Sequence, residues 1–222
     1  MKKIFIESDI SSFEDFHDGE WYAELFSKVD GTELVTYVEE FAAHWWGASR
    51  SFVLPWLYVN GIYDAVNGTV PIIGKTKQDV WDELLETNAF KGSLWKIAEG
   101  SFCAIYYAYE NLIVQVLSKI INKRIRVTDR DFNKMLISVY GPEPSTRFWN
   151  SNSISVSREI RNCITHNGGK ATQRLLNMKP RPRIEKGDVL ISASDVRFLW
   201  STLRPAVCEA ITESLNRLNT RA

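Results

Sequence analysis

The sequence predicts a mainly α-helical bundle, and three observations carry that expectation. Apolar residues recur at i, i+3 and i+4 spacing in most segments, most clearly along Phe102, Ile105, Tyr106, Tyr109, Leu112 and Val116. Glycines such as Gly31, Gly61, Gly68 and Gly92 punctuate the periodic runs rather than interrupting an alternating pattern. Only one stretch, around Gly187, carries the turn residues and flanking β-branched positions of a hairpin. The 222 residues are 45% hydrophobic and 24% charged, which supplies one substantial core and excludes a disordered or collagen-like chain.

The elements follow in order. Helices are expected from Glu20 to Lys28 and from Thr32 to about Ala65, the second interrupted near Gly47 and Pro55. A third, Lys77 to Phe90, places Val80, Trp81, Leu84 and Leu85 on one face. The longest, Ser93 to about Asn122, is the central core helix. A basic loop, Lys123-Arg124-Ile125-Arg126, then leads through Thr128 as N-cap to a short helix, Asp131 to Val139, closed by Gly141-Pro142. After a polar loop, Ser153 or Ser155 opens a helix that stops at His166-Asn167-Gly168-Gly169. Arg183-Ile184 and Val189-Leu190-Ile191 form a hairpin, and Ser192 or Ser194 caps a last helix to Leu218 that Pro205 kinks or divides. Residues 1–92 read as a helical extension packed on the same core as a helical domain at 93–222.

Several classes are excluded on composition. The most apolar stretch, Phe102 to Ile121, contains Glu110, Asn111, Gln115 and Lys119, so no membrane span is expected. The opening Lys2-Lys3-Ile4-Phe5-Ile6 begins like a secretion signal, but Glu7 and Asp9 end the apolar run, and a cytoplasmic protein is expected. Cys103, Cys163 and Cys208 form no paired spacing and read as buried thiols. His17, His44 and His166 have no second histidine at i+3 or i+4, so neither a histidine metal site nor a cofactor is expected. Gly68 to Thr76 resembles a phosphate-binding loop, yet its glycines stand one residue too far apart and Pro71 removes a backbone N–H from the cradle.

The net charge is zero, but it conceals a segregation. Met1 to Ser118 holds 8 Lys/Arg against 18 Asp/Glu, whereas the remainder holds 19 against 9. That asymmetry fits either a polyanion-binding face or two halves that attract each other.

The informative stretch is Ser157 to Gly169. At ~100° per residue, Val156, Ile160, Cys163 and Ile164 cluster on one face. The opposite arc carries Arg161, Thr165, Arg158, Asn162 and His166 in that angular order, so Arg161 and His166 occupy its two shoulders. They stand too far apart in angle to touch. Across a twofold axis, the Arg161 shoulder of one chain would meet the His166 shoulder of the other. Such a cleft suits phosphodiester chemistry: RNA cleavage by the 2′-OH needs a proton acceptor, a proton donor for the leaving oxygen and a fixed cation on the phosphorane. Histidine, near pKa ~6.5 when unperturbed, exchanges protons near neutrality, while arginine supplies a permanent charge and a planar fork matched to phosphate. A helix-terminal histidine contacting the last carbonyls, with Arg158 and Arg161 paired to Glu159 on a solvated face, satisfies the same pattern without function.

The surroundings discriminate further. Arg161-Asn162-Cys163-Ile164-Thr165-His166 ends a helix, after a long helix bearing Tyr109-Glu110-Asn111-Leu112 and a short one at Asp131 to Val139, and before an Asn-Gly-Gly exit and a closing amphipathic helix. This order resembles the HEPN superfamily, the "higher eukaryotes and prokaryotes nucleotide-binding" helical domains, over about Ser93 to Leu218. The resemblance implies a bundle that homodimerises with both motifs at the interface. It also implies a metal-independent endoribonuclease of toxin–antitoxin or antiviral systems, with an antitoxin protein as a further partner. His166 would be general acid/base, Arg161 the phosphate clamp and Asn162 an orienting group, leaving a 2′,3′-cyclic phosphate and a 5′-hydroxyl. Residues 1–92 and the hairpin have no counterpart in the minimal family domain.

Candidate RNA contacts are Arg158, Lys123, Arg124, Arg126, Lys170 and Arg174, and single-stranded RNA is expected because in-line attack needs a flexible backbone. Glu110, mid-way along an apolar helix, is expected either to face Arg158 or Arg161 and fix the guanidinium or to reach solvent along a polar strip. The alternative function is a non-catalytic HEPN adaptor or sensor binding nucleotide, RNA or a protein. Trp45, Trp46, Trp56, Tyr58 and Tyr63 would then be a partner surface or stacking platform, or else simply core.

Overall fold

The computed structural model describes residues 18–67 and 88–220, with side chains described outside 54–94. The fold is mainly α, with a two-stranded hairpin before the last helix. α1 (Gly19–Val29) and α2 (Val35–Asn67) precede α3 (Asn88–Ile121). Next come α4 (Phe132–Tyr140), a single turn α5 (Pro142–Ser145) and a π-helical turn (Thr146–Asn150). α6 (Asn152–His166), α7 (Gln173–Asn177), β1 (Arg183–Glu185), β2 (Asp188–Leu190) and α8 (Ala193–Asn219) complete the chain. The helix expected at Lys77 to Phe90 and the phosphate-loop look-alike at Gly68 to Thr76 lie outside the described residues, apart from the start of α3.

α3 is the axis of the molecule: α2 packs along it on one side, α8 on another, and α6 crosses it at the site described below. Its buried positions are those of the sequence periodicity, with Phe102, Ile105, Tyr106, Tyr109, Leu112 and Val116 all withdrawn from solvent. One continuous core runs from Trp21 and Leu25 of α1 through α3 to Leu203 and Ile211 of α8. The described side chains of α1 and of α2 up to Val53 therefore share a core with the later helices. Trp45 of α2 stacks on Trp200 of α8 at 6.2 Å, and Trp21 Nε1 donates to Cys208 Sγ at 3.2 Å.

Several boundaries differ from the sequence reading. α2 runs unbroken past Gly47 and Pro55, and α3 runs through Gly92. A glycine costs a helix only ~1 kcal/mol relative to alanine, which two long packed helices outweigh. Pro205 sits inside α8 without dividing it, and its ring is exposed. α6 starts earlier than expected, capped by Ser151 rather than Ser153 or Ser155, with the Ser151 hydroxyl accepting from Ile154 N. Asp131, not Thr128, precedes α4. The polar loop after Gly141 is helical instead: Pro142 suits a first helical turn, and burial of Phe148 and Trp149 draws the segment into the core. Of the three thiols only Cys163 is buried; Cys103 and Cys208 are half-buried.

Candidate active site

α6 delivers the motif. Ile154, Val156, Ser157, Glu159 and Ile160 are buried along it, and its last turn emerges into solvent. Thr165 and His166 are exposed there, Asn162 half-buried. The helix ends as its Asn-Gly-Gly exit demands: Gly168 and Gly169 adopt φ of 59° and 79°, and Gly169 N donates to Cys163 O at 2.9 Å. The segment beyond His166 is held by the hairpin. Val189 N donates to Gly169 O and Ala171 N to Gly187 O, each at 2.8 Å, while Lys170 pairs with Asp188 at 2.6 Å. The hairpin turn itself uses Lys186 and Gly187 at φ 51° and 85°, the pair of positive values that a two-residue turn requires.

Arg161 does not project from the polar arc. It turns back onto α3, where its guanidinium pairs with the Glu110 carboxylate and lies 5.3 Å from the Tyr106 ring centre. The side chains of Arg161 and Glu110 are 15% and 14% exposed, so the pair is largely withdrawn from water yet keeps one edge open. Glu110 thus follows the first of its two sequence readings. Tyr106 and Glu110 stand one turn apart on α3, which explains why a single guanidinium meets both. Half-buried Cys103, one turn earlier, also feels the Arg161 charge; burial nevertheless pushes its thiol up to about 11.

Arg158 is committed to the interior. Its Nε donates to Tyr106 Oη at 3.0 Å, its Nη2 donates to Trp149 O at 2.8 Å, and its guanidinium stacks 4.2 Å from the Trp149 ring centre. It serves as a brace between α6, α3 and the π turn, where the sequence reading has it touching RNA. Burial pushes the Tyr106 hydroxyl up to about 12, against the lowering effect of Arg158. Glu159, expected as a partner for the motif arginines, is instead buried and accepts a 2.6 Å hydrogen bond from Thr172 Oγ1, with Arg174 Nε 3.6 Å away. Thr172 also caps α7 by accepting from Leu175 N.

The remaining RNA candidates separate into two groups. Lys123, Arg124 and Arg126 line an open groove of about 840 Å³ that Glu110 also borders. Lys170 and Arg174 lie on the hairpin side, each paired with a carboxylate. Sequence reasoning missed the roles of Tyr106, Trp149 and Thr172. Tyr106 was legible only as core, and Trp149 fell in a segment with no clear periodicity. Among the tryptophans offered as a platform, Trp45 is buried and Trp46 is 53% exposed beneath Arg50, while Trp56, Tyr58 and Tyr63 have side chains outside the described set. Among the described residues no cluster of three His, Cys, Asp or Glu side chains could hold a metal ion, and no helix is long and apolar enough to cross a membrane. Comparison with protein-family models, curated proteins and solved structures finds no match.

Proposed function

We propose that this chain is an endoribonuclease of the HEPN type, acting on single-stranded RNA as a homodimer in a toxin or antiviral defence role. The observation that supports it best is that one helix carries a pre-set guanidinium and an exposed imidazole. Arg161 is fixed by Glu110 and Tyr106, and His166 is exposed at the emerging end of the same helix. Five residues of helix separate the two by ~7.5 Å of rise and ~140° of rotation, so they serve one phosphate only when a second chain completes the cleft.

In that cleft the sugar's 2′-OH attacks the adjacent phosphorus and the 5′-oxygen leaves. His166 moves the proton, and the open edge of Arg161 takes the charge that builds on the non-bridging oxygens. Glu110 orients that edge and Asn162 contributes a neutral polar group at the rim. All the proton and charge handling is done by side chains of the protein.

The test is cleavage of a labelled single-stranded RNA with end-group analysis. A 2′,3′-cyclic phosphate and a 5′-hydroxyl are expected, with rates unchanged by EDTA. Loss of cleavage on chelation, or products bearing 5′-phosphates, overturns the proposal. RNA binding without cutting of any RNA tested selects the adaptor reading instead.

A further inference from the structure

The groove that borders the motif pair is built like a seat for a short single strand. Its floor is the outward face of α3 from Tyr107, ending at Asn122 just past the helix, fifteen residue steps or roughly 22 Å at ~1.5 Å per residue. One wall is the turn after α3, where Lys123, Arg124 and Arg126 are exposed, and among the described residues no carboxylate lies within salt-bridge distance of any of the three. On the opposite side half-buried Tyr37 of α2 lines the groove, and the nearby carboxylates Glu33 and Glu40 are engaged, Glu33 with Lys119 and Glu40 accepting from Gln115 Nε2 at 2.8 Å. At the end nearest Glu110, Tyr107 is 59% exposed.

Resting on the nuclease reading above, we propose that this groove binds the substrate strand beyond the scissile phosphate. The phosphates lie along Lys123, Arg124 and Arg126, and a base stacks on Tyr107. Three unneutralised cations on one wall match a row of phosphates, and an exposed aromatic on the floor matches a base; an acidic peptide would use the cations but not the ring. At the ~3.4 Å spacing of stacked nucleotides the floor spans on the order of six of them. Because Tyr107 precedes Glu110 by less than one turn, a base stacked there leads its phosphate towards Arg161. The amides of Asn111 and Asn122 line the same floor and offer donors and acceptors to base edges.

The experiment measures affinity for a fluorescent dodecamer of 2′-O-methyl RNA, which binds but cannot be cut, across a salt series. The proteins are the wild type, Tyr107→Ala, Tyr107→Phe and the triple variant Lys123→Ala/Arg124→Ala/Arg126→Ala, with thermal melts as folding controls. Tyr107→Ala is expected to weaken binding roughly 5–100-fold, the range of one lost base stack, and Tyr107→Phe to restore it. The triple variant is expected to lower the slope of log K against log salt by about 2, at ~0.7 per phosphate. Unchanged affinity in both Tyr107→Ala and the triple variant overturns the seat, and so does wild type that binds no RNA. A loss confined to the triple variant also overturns it, leaving only a polyanion patch. The two proposals fail separately. Wild type that cuts RNA while the groove variants bind normally retains the nuclease and rejects the groove; groove variants that lose affinity for an RNA the wild type never cuts do the reverse.

Discussion

Arg161 shows how far one residue's role depends on where its side chain turns. A helical wheel places it on the solvent arc, and on that basis its removal costs the fold little. The structure pairs it with Glu110 in a site only about one-seventh exposed. Arg161→Ala therefore strands a carboxylate, and a loss of roughly 1–3 kcal/mol in chemical denaturation is expected. His166→Ala, at an exposed position, is expected to stay within ~0.5 kcal/mol of wild type. Equal stabilities for the two variants would contradict the ion pair. Tyr106 contributes to the alkaline pH dependence, together with Tyr22, Tyr109 and Tyr140, whose hydroxyls burial raises as well. The Tyr106 hydroxyl is neutral in the fold and pushed up to about 12 by burial, whereas an unfolded tyrosine ionises near pH 10. The unfolded chain thus releases the proton first, and the stability Tyr106 contributes is full below pH ~10 and lost as pH rises towards 12. Titration of denaturation midpoints from pH 9 to 11.5 checks this, with Tyr106→Phe expected to flatten the fall. The Glu110 pairing was legible because a carboxylate amid apolar helix positions needs a partner. The inward turn of Arg158 was not, because its stacking partner Trp149 lies in a segment whose periodicity is helical only after burial.

At the scale of elements, the segment after His166 is the informative one. Sequence reading treats the hairpin as an addition to the domain, yet Val189 of β2 bonds directly to Gly169 and Gly187 of the turn to Ala171, which fixes where the motif helix ends. Thr172 closes the same device from the other side, capping α7 while donating to buried Glu159. Thr172→Val removes both bonds with little change of shape, and a loss of about 1–2 kcal/mol is expected. No loss would mean that Glu159 finds another donor. The cap of α8 was legible, where Ser192 forms a full capping box with Asp195, but among the serines ahead of α6 the cap is Ser151 rather than Ser153 or Ser155. Short elements were not legible. α5, the π turn and α7 each span five residues or fewer, too short for a 3.6-residue period to declare itself.

The described residues share one core, and that changes how the chain can be divided. Trp45–Trp200 and Trp21–Cys208 join the first two helices to α8. A truncation beginning at residue 93 exposes the faces of α3 and α8 that α1 and α2 cover, and it is expected to give no cooperative melt. The resemblance that motivates the functional proposal concerns order and spacing, so its direct test is whether two chains share one site. The decisive measurement mixes Arg161→Ala and His166→Ala protomers after co-expression and assays cleavage of labelled single-stranded RNA. Each variant alone should be inactive, since general acid–base catalysis is typically worth ~10²–10⁴-fold. In the mixed dimer one cleft joins an intact Arg161 to an intact His166, so about a quarter of wild-type activity should return when the protomers pair at random. Two inactive variants that stay inactive when mixed, or a His166→Ala homodimer that still cuts, would contradict the account.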